Sequence, residues 1–143
     1  MTCELEYVEL LAQATLVGWD VDTVHFYDIR LGERTDARSA TLCFSARPPS
    51  GKYREFYVAF APGDSLARAT VNAVDQIQDR AVELTGGDLL PPCPGHGHPL
   101  VATVLGWVPK WVCMTEGAQR YARDILPGFD PAFTTPEEYL ALR

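Results

Sequence analysis

The chain predicts an α+β fold in which an antiparallel three-stranded sheet is covered by two helices and followed by a C-terminal hairpin and short helices. Apolar residues recur at helical spacing near the N-terminus and again over 64–85. Three runs between residues 23 and 60 alternate apolar and polar side chains with a period of two. Short connections join the runs, which favours hairpin neighbours over the long crossovers that parallel strands need.

Over residues 3–17, Tyr7, Leu10, Leu11, Ala14 and Val17 form one helical stripe. Thr2 is placed to cap it, Glu4 and Glu6 suit the positive end of the helix dipole, and Gly18 ends it. After a turn over 19–22, the alternation around His25, Tyr27 and Ile29 predicts a strand over 23–31. A polar loop, GERTDARS, leads into two further strands, ATLCFSAR (40–47) and YREFYVAF (53–60). The PPSGK between them reads as a hairpin turn, and Arg54, Phe56, Val58 and Phe60 share a face. A sheet with one apolar face needs a cover. It is supplied by the stripe Leu66, Ala69, Ala73, Val74, Ile77, Ala81 and Leu84, with Asp64 as the expected cap and Gly86–Gly87 as the stop.

Residues 86–99, GGDLLPPCPGHGHP, hold too many prolines and glycines for any regular period. Beyond them, LVATVLGWV and KWVC read as two short strands turning at Val108-Pro109-Lys110, GAQRYARDIL (117–126) as a short helix, and Thr135-Pro136-Glu137-Glu138 as a capping box for a last helix.

At 143 residues with 47% apolar side chains, the expectation is a single domain, 1–143. Its parts are an α+β body (1–87), a metal-binding loop and hairpin (88–117) and a helical tail (118–143). No apolar run reaches the roughly 18 residues of a membrane span, and the N-terminal segment is acidic where a secretory signal is basic, so a cytoplasmic protein with reduced thiols is expected. A net charge of -7 disfavours nucleic acid, whose phosphates are bound by excess Lys and Arg. Another protein is the expected partner.

The chemistry concentrates in Cys93-Pro94-Gly95-His96, whose C-x2-H spacing lets a tight turn bring a thiolate and an imidazole onto one ion. Gly97 follows, then His98, and Cys113 comes one hairpin later in W-V-C-M-T-E-G. The expected metal ligands are Cys93, His96, His98 and Cys113, with Zn2+ as the ion because sulfur and imidazole suit this borderline-soft cation; iron and copper come next. Glu116 competes with His98 for the fourth position. His98 ranks first because structural zinc sites take sulfur and nitrogen. The bland alternative is a stiff Pro and Gly turn carrying exposed imidazoles and two buried thiols.

With its two arms, the segment 93–117 resembles a zinc ribbon or knuckle, in which C-P-x-C-G and W-x-C-P-x-C-G arms clamp one zinc across a hairpin. It departs from that pattern where His96 replaces the second cysteine and Glu116 the fourth. It also resembles the CPGHxHP and WVC segments of certain short bacterial proteins, a resemblance that implies no activity.

Trp107 and Trp111 flank the hairpin and are expected to shield the ion, with a hot spot for a partner as the alternative. His25 reads as a strand residue without a role, Cys43 as a small buried hydrophobe, and the stripe Tyr53, Phe56, Tyr57, Phe60 as core on one side. Asp20, Asp22 and Asp28 lack the spacing of a calcium loop. Three functions remain: a binding or adaptor module pinned by structural zinc; a zinc hydrolase using Cys93, His96 and Cys113 with an open water position; and an acidic antagonist of a basic or nucleic-acid-binding partner. The first leads, because neither a second acid-base group nor a substrate pocket is apparent.

Overall fold

Ten elements succeed one another among the described residues: helix α1 (Thr2–Thr15), strands β1 (Asp20–Val21), β2 (His25–Leu31), β3 (Arg38–Arg47) and β4 (Arg54–Phe60), helix α2 (Leu66–Thr85), strands β5 (Val101–Leu105), β6 (Val108–Cys113) and β7 (Tyr121–Asp124), and helix α3 (Pro136–Leu140). They come from a computed structural model that describes residues 2–31, 38–61, 65–88, 90–113 and 121–142. The loop expected over 32–39 lies mostly outside these residues, as do Asp64 and Glu116. No described helix is long and apolar enough to cross a membrane.

The architecture is α+β, with two antiparallel sheets. In the first, β3 is central: β4 pairs with it on one side, while β2 and β1 pair in succession on the other. Register places Phe26, Leu42 and Val58 in one row, and Phe44 opposite Phe56. The inner face, Leu42, Phe44, Ala46, Phe56, Val58 and Phe60, is buried, with the Phe44 and Phe56 rings stacked 5.0 Å apart. The fourth strand was not expected. Asp20–Val21 is too short for any period to show, and it is held by pairing with Ala46 and Arg47, reinforced by the Arg47–Asp20 ion pair and the Tyr53 hydroxyl on Asp20. Tyr53 and Tyr57 are exposed, so the aromatic stripe is core only at Phe56 and Phe60. Cys43 is half-buried beside His25 and Tyr57 on the outer face, more open than its strand context suggested.

Helix α2 links the sheets. Ser65, not the expected Asp64, caps it by accepting from the Arg68 N–H, and Gly86 at φ 74 closes it with its N–H on the Val82 carbonyl. Its apolar face packs on β4 and on β5 and β6. The Gln76 amide accepts the Ala59 N–H at 2.8 Å and donates to the Ala59 carbonyl at 2.9 Å, so a side chain completes the open edge of β4.

In the second sheet β6 lies between β5 and β7. The hairpin turns at Gly106 and Trp107, whose φ values of 58 and 67 are those of a two-residue type I′ turn, and not at Val108-Pro109-Lys110. Pro109 lies within β6, opposite Val104. Its carbonyl accepts from the Ile125 N–H, so the N–H it lacks faces the level where β7 has already ended. The helix expected over 117–126 is corrected as well: Tyr121–Asp124 is a strand, and 117–120 lie outside the described residues. Pairing with Lys110–Cys113, together with the Lys110–Asp124 ion pair, overrides the helical preference of this Ala- and Arg-containing segment.

Helix α1 packs on α2 and α3. Its Tyr7 is wholly buried, and the hydroxyl lies 2.6 Å from Thr70 Oγ1, which in turn donates to the Leu66 carbonyl at 2.7 Å. Thr70 has one proton, already given to Leu66, so Tyr7 is the donor. Burial raises the Tyr7 pKa and keeps the phenol neutral. The C-terminal capping box is present: Thr135 accepts from the Glu138 N–H, and the Glu138 carboxylate accepts from Thr134 and Thr135.

This donor order predicts an asymmetry measurable by denaturant unfolding. Tyr7→Phe leaves Thr70 satisfied and costs about 1 kcal/mol, whereas Thr70→Val strands a buried phenol and costs about 1–3 kcal/mol.

Candidate metal centre

Residues 90–100 form a small hairpin-like loop. The Leu100 N–H donates to the Pro91 carbonyl at 2.9 Å and the Cys93 N–H to the His98 carbonyl at 3.1 Å, while Pro92 and Pro99 face one another as an isolated bridge. At the tip the His96 N–H reaches the Cys93 carbonyl at 3.2 Å, with Pro94 and Gly95 between them and Gly95 at φ 80. That is a type II turn: proline presets the first central position, and glycine takes the left-handed second one without a Cβ penalty. The sequence therefore places Cys93 and His96 on the same side of a tight bend.

Three environments set the four side chains. Cys93 is held by the turn and buried, His96 projects at the exposed tip, and His98 is half-buried on the returning limb. Cys113 ends β6 and is wholly buried. Their donor atoms all lie within 4.8 Å of one another. His96 Nδ1 is 3.3 Å from Cys93 Sγ and 3.2 Å from Cys113 Sγ, and His98 Nε2 is 3.6 Å from Cys113 Sγ. A tetrahedral ion with sulfur at about 2.3 Å and imidazole nitrogen at about 2.0–2.1 Å holds such atoms about 3.6 Å apart. The spacing fits a shared ion.

Hydrogen bonding alone accounts for it less well. One imidazole nitrogen carries either a single proton or a single lone pair, so His96 Nδ1 cannot satisfy two sulfurs equally. Burial raises the Cys93 pKa, and the adjacent Cys113 thiol raises it further, so two neighbouring thiolates need a positive charge to offset them. A divalent cation would supply that charge, and its binding would release thiol protons. His98 is oriented for the role: its Nδ1 lies 2.9 Å from the Pro99 carbonyl, which fixes the proton on Nδ1 and leaves the Nε2 lone pair on the side of Cys113.

The loop is fastened to the body by a residue that sequence reasoning missed. Gln78 Nε2 of α2 donates to the Leu90 carbonyl at 3.0 Å and to the Leu100 carbonyl at 2.7 Å, tying both limbs at the base of the loop. Its only signal was a polar residue beside Ile77 on the core-facing helix. Beneath the cluster, Leu90, Leu100 and Trp111 join the apolar core that also includes Cys93 and Cys113.

All four expected ligands meet, and they form a converging His and Cys group among the described residues. The structure separates the two tryptophans. Trp111, two residues before Cys113, is buried, but Trp107 is 75% exposed at the far end of β6, roughly 20 Å from Cys113 at about 3.3 Å per residue. It shields nothing.

What fold and site define is a small α+β protein with a Cys2His2-type cluster capable of coordinating a metal ion. The cluster is consistent with a small zinc-binding module without being specifically a zinc ribbon, because the loop before the hairpin supplies three of the four donors. Comparison with protein-family models, curated proteins and solved structures finds no match for the chain.

Gln78→Ala frees both limbs without touching a donor atom. Metal titration is expected to show unchanged stoichiometry and an affinity lowered about 10-fold, the low end for residues that orient ligands from behind.

Proposed function

We propose that the chain is a binding module for another protein whose C-terminal arm is pinned by a structural Zn2+ held by Cys93, His96, His98 and Cys113. The observation that carries this reading is the convergence of two sulfurs and two imidazole nitrogens within 4.8 Å. An S2N2 set is the donor chemistry of tetrahedral structural zinc, whereas catalytic sites keep one position for water. That difference favours the binding module over the hydrolytic alternative.

Zinc here supplements an apolar core. The segment from Pro91 to Pro99 has Pro91 and Cys93 as its buried positions, and it is fixed otherwise by its turn and by Gln78. Closing the metal shell ties it to β6, from which the β5–β6 hairpin projects Trp107 into solvent. A bulky side chain at φ 67 costs about 1–3 kcal/mol, and strain of this kind collects at contact positions. Exposed tryptophans are the residues that most often anchor protein interfaces. The net charge of -7 suits a partner with a basic surface.

Hydrogen exchange on the zinc-loaded chain tests the structural role. Removing the ion with a chelator is expected to raise exchange about 10-fold or more over 90–100 and 110–113 while α2 keeps its protection. His98→Ala should lower zinc affinity, whereas Glu116→Ala should leave it unchanged. Unaltered exchange after chelation, or loss of zinc in Glu116→Ala alone, contradicts the assignment.

A further inference from the structure

The two sulfurs belong to different limbs of the fold, the loop tip and the end of β6, yet fall inside one cluster no wider than 4.8 Å. A disulfide needs them at about 2.05 Å. The loop tip has room to shift: apart from chain neighbours, no atom stands within 4 Å of where a Cβ would sit on Gly95 or Gly97. Cys113 is anchored at the end of β6 by its pairing with Tyr121 of β7.

Access follows from burial. Both sulfurs are covered, but the imidazole side is open, with His96 exposed and His98 half-buried. An exposed imidazole on a glycine-flanked turn is the ligand that leaves first, and its departure uncovers the sulfurs. Cys3 and Cys43 are free cysteines on α1 and β3, outside the cluster, so neither competes as the resolving partner.

We propose that Cys93 and Cys113 form a peroxide-sensitive modification site in which oxidation joins the two sulfurs and expels the zinc. This deepens the structural-zinc reading and rests on it. One thiolate attacks a peroxide oxygen, the O–O bond breaks, and a sulfenic acid and hydroxide result. The second thiolate then attacks the sulfenic sulfur, forming the S–S bond and releasing a second hydroxide. Two protons from solvent convert the hydroxides to water. The two sulfurs lose two electrons in total, the peroxide gains them, and Zn2+ leaves because its thiolate donors are gone. The disulfide keeps the loop tethered to β6 while His96 and His98 are released to solvent, so the ion departs without loss of the fold.

The full chain, loaded with Zn2+ and freed of excess, is treated with hydrogen peroxide in the presence of a chromogenic zinc indicator. Release of about one ion per peroxide consumed, a mass loss of about 2 Da, a peptide map linking residues 93 and 113, and recovered zinc binding after dithiothreitol are expected. A chain carrying Cys3→Ser and Cys43→Ser should respond like the parent. Zinc retained under about 10-fold excess peroxide, or released with sulfinic acid and no such link, overturns the switch but leaves the metal centre standing. A chain that takes up no zinc beforehand removes the foundation of both.

Discussion

Two sulfurs and two imidazole nitrogens drawn from separate stretches of chain converge where the loop over 90–100 meets the end of β6. The loop over 90–100 has few means of holding itself: a type II turn, a bridge between two prolines, and two hydrogen bonds from a single glutamine. Leu90 and Leu100 share the apolar core with Trp111 of β6, and the donor cluster brings the loop tip to the end of the same strand. Burial there disfavours the charge of the Cys93 thiol, a cost that a bound cation would offset.

The rest of the fold serves this position. Helix α2 packs on both sheets, so it sets the distance between the loop it carries through Gln78 and the strand that ends in Cys113. Tyr7 and Thr70 lock α1 onto α2 from the other side. The donor cluster is therefore mounted on an element already fixed by apolar burial, an arrangement that would lower the entropy lost on binding an ion.

Where the sequence could be read, local physics was enough. Period-two alternation exposed β2, β3 and β4, and the α2 stripe announced its buried face, because burial on one side writes a pattern into the chain. Cys93, His96 and His98 were legible as a group because Pro94, Gly95 and Gly97 mark a turn whose residue types have few other uses together, and Cys113 because it follows one hairpin later. Longer-range effects left no such trace. β1 is only two residues long, and β7 carries helix-favouring residues that pairing with β6 overrules. Pro109 looked like a turn because its missing N–H normally ends a strand, and only the early end of β7 makes its place harmless. Gln78 is ordinary until the loop it fastens is seen.

X-ray absorption at the zinc edge of the loaded chain reads the first coordination shell directly. Two sulfurs at about 2.3 Å and two imidazole nitrogens at about 2.0–2.1 Å are the expected result. A shell dominated by oxygen, or one lacking sulfur, would show that Cys93 and Cys113 come together for some other reason.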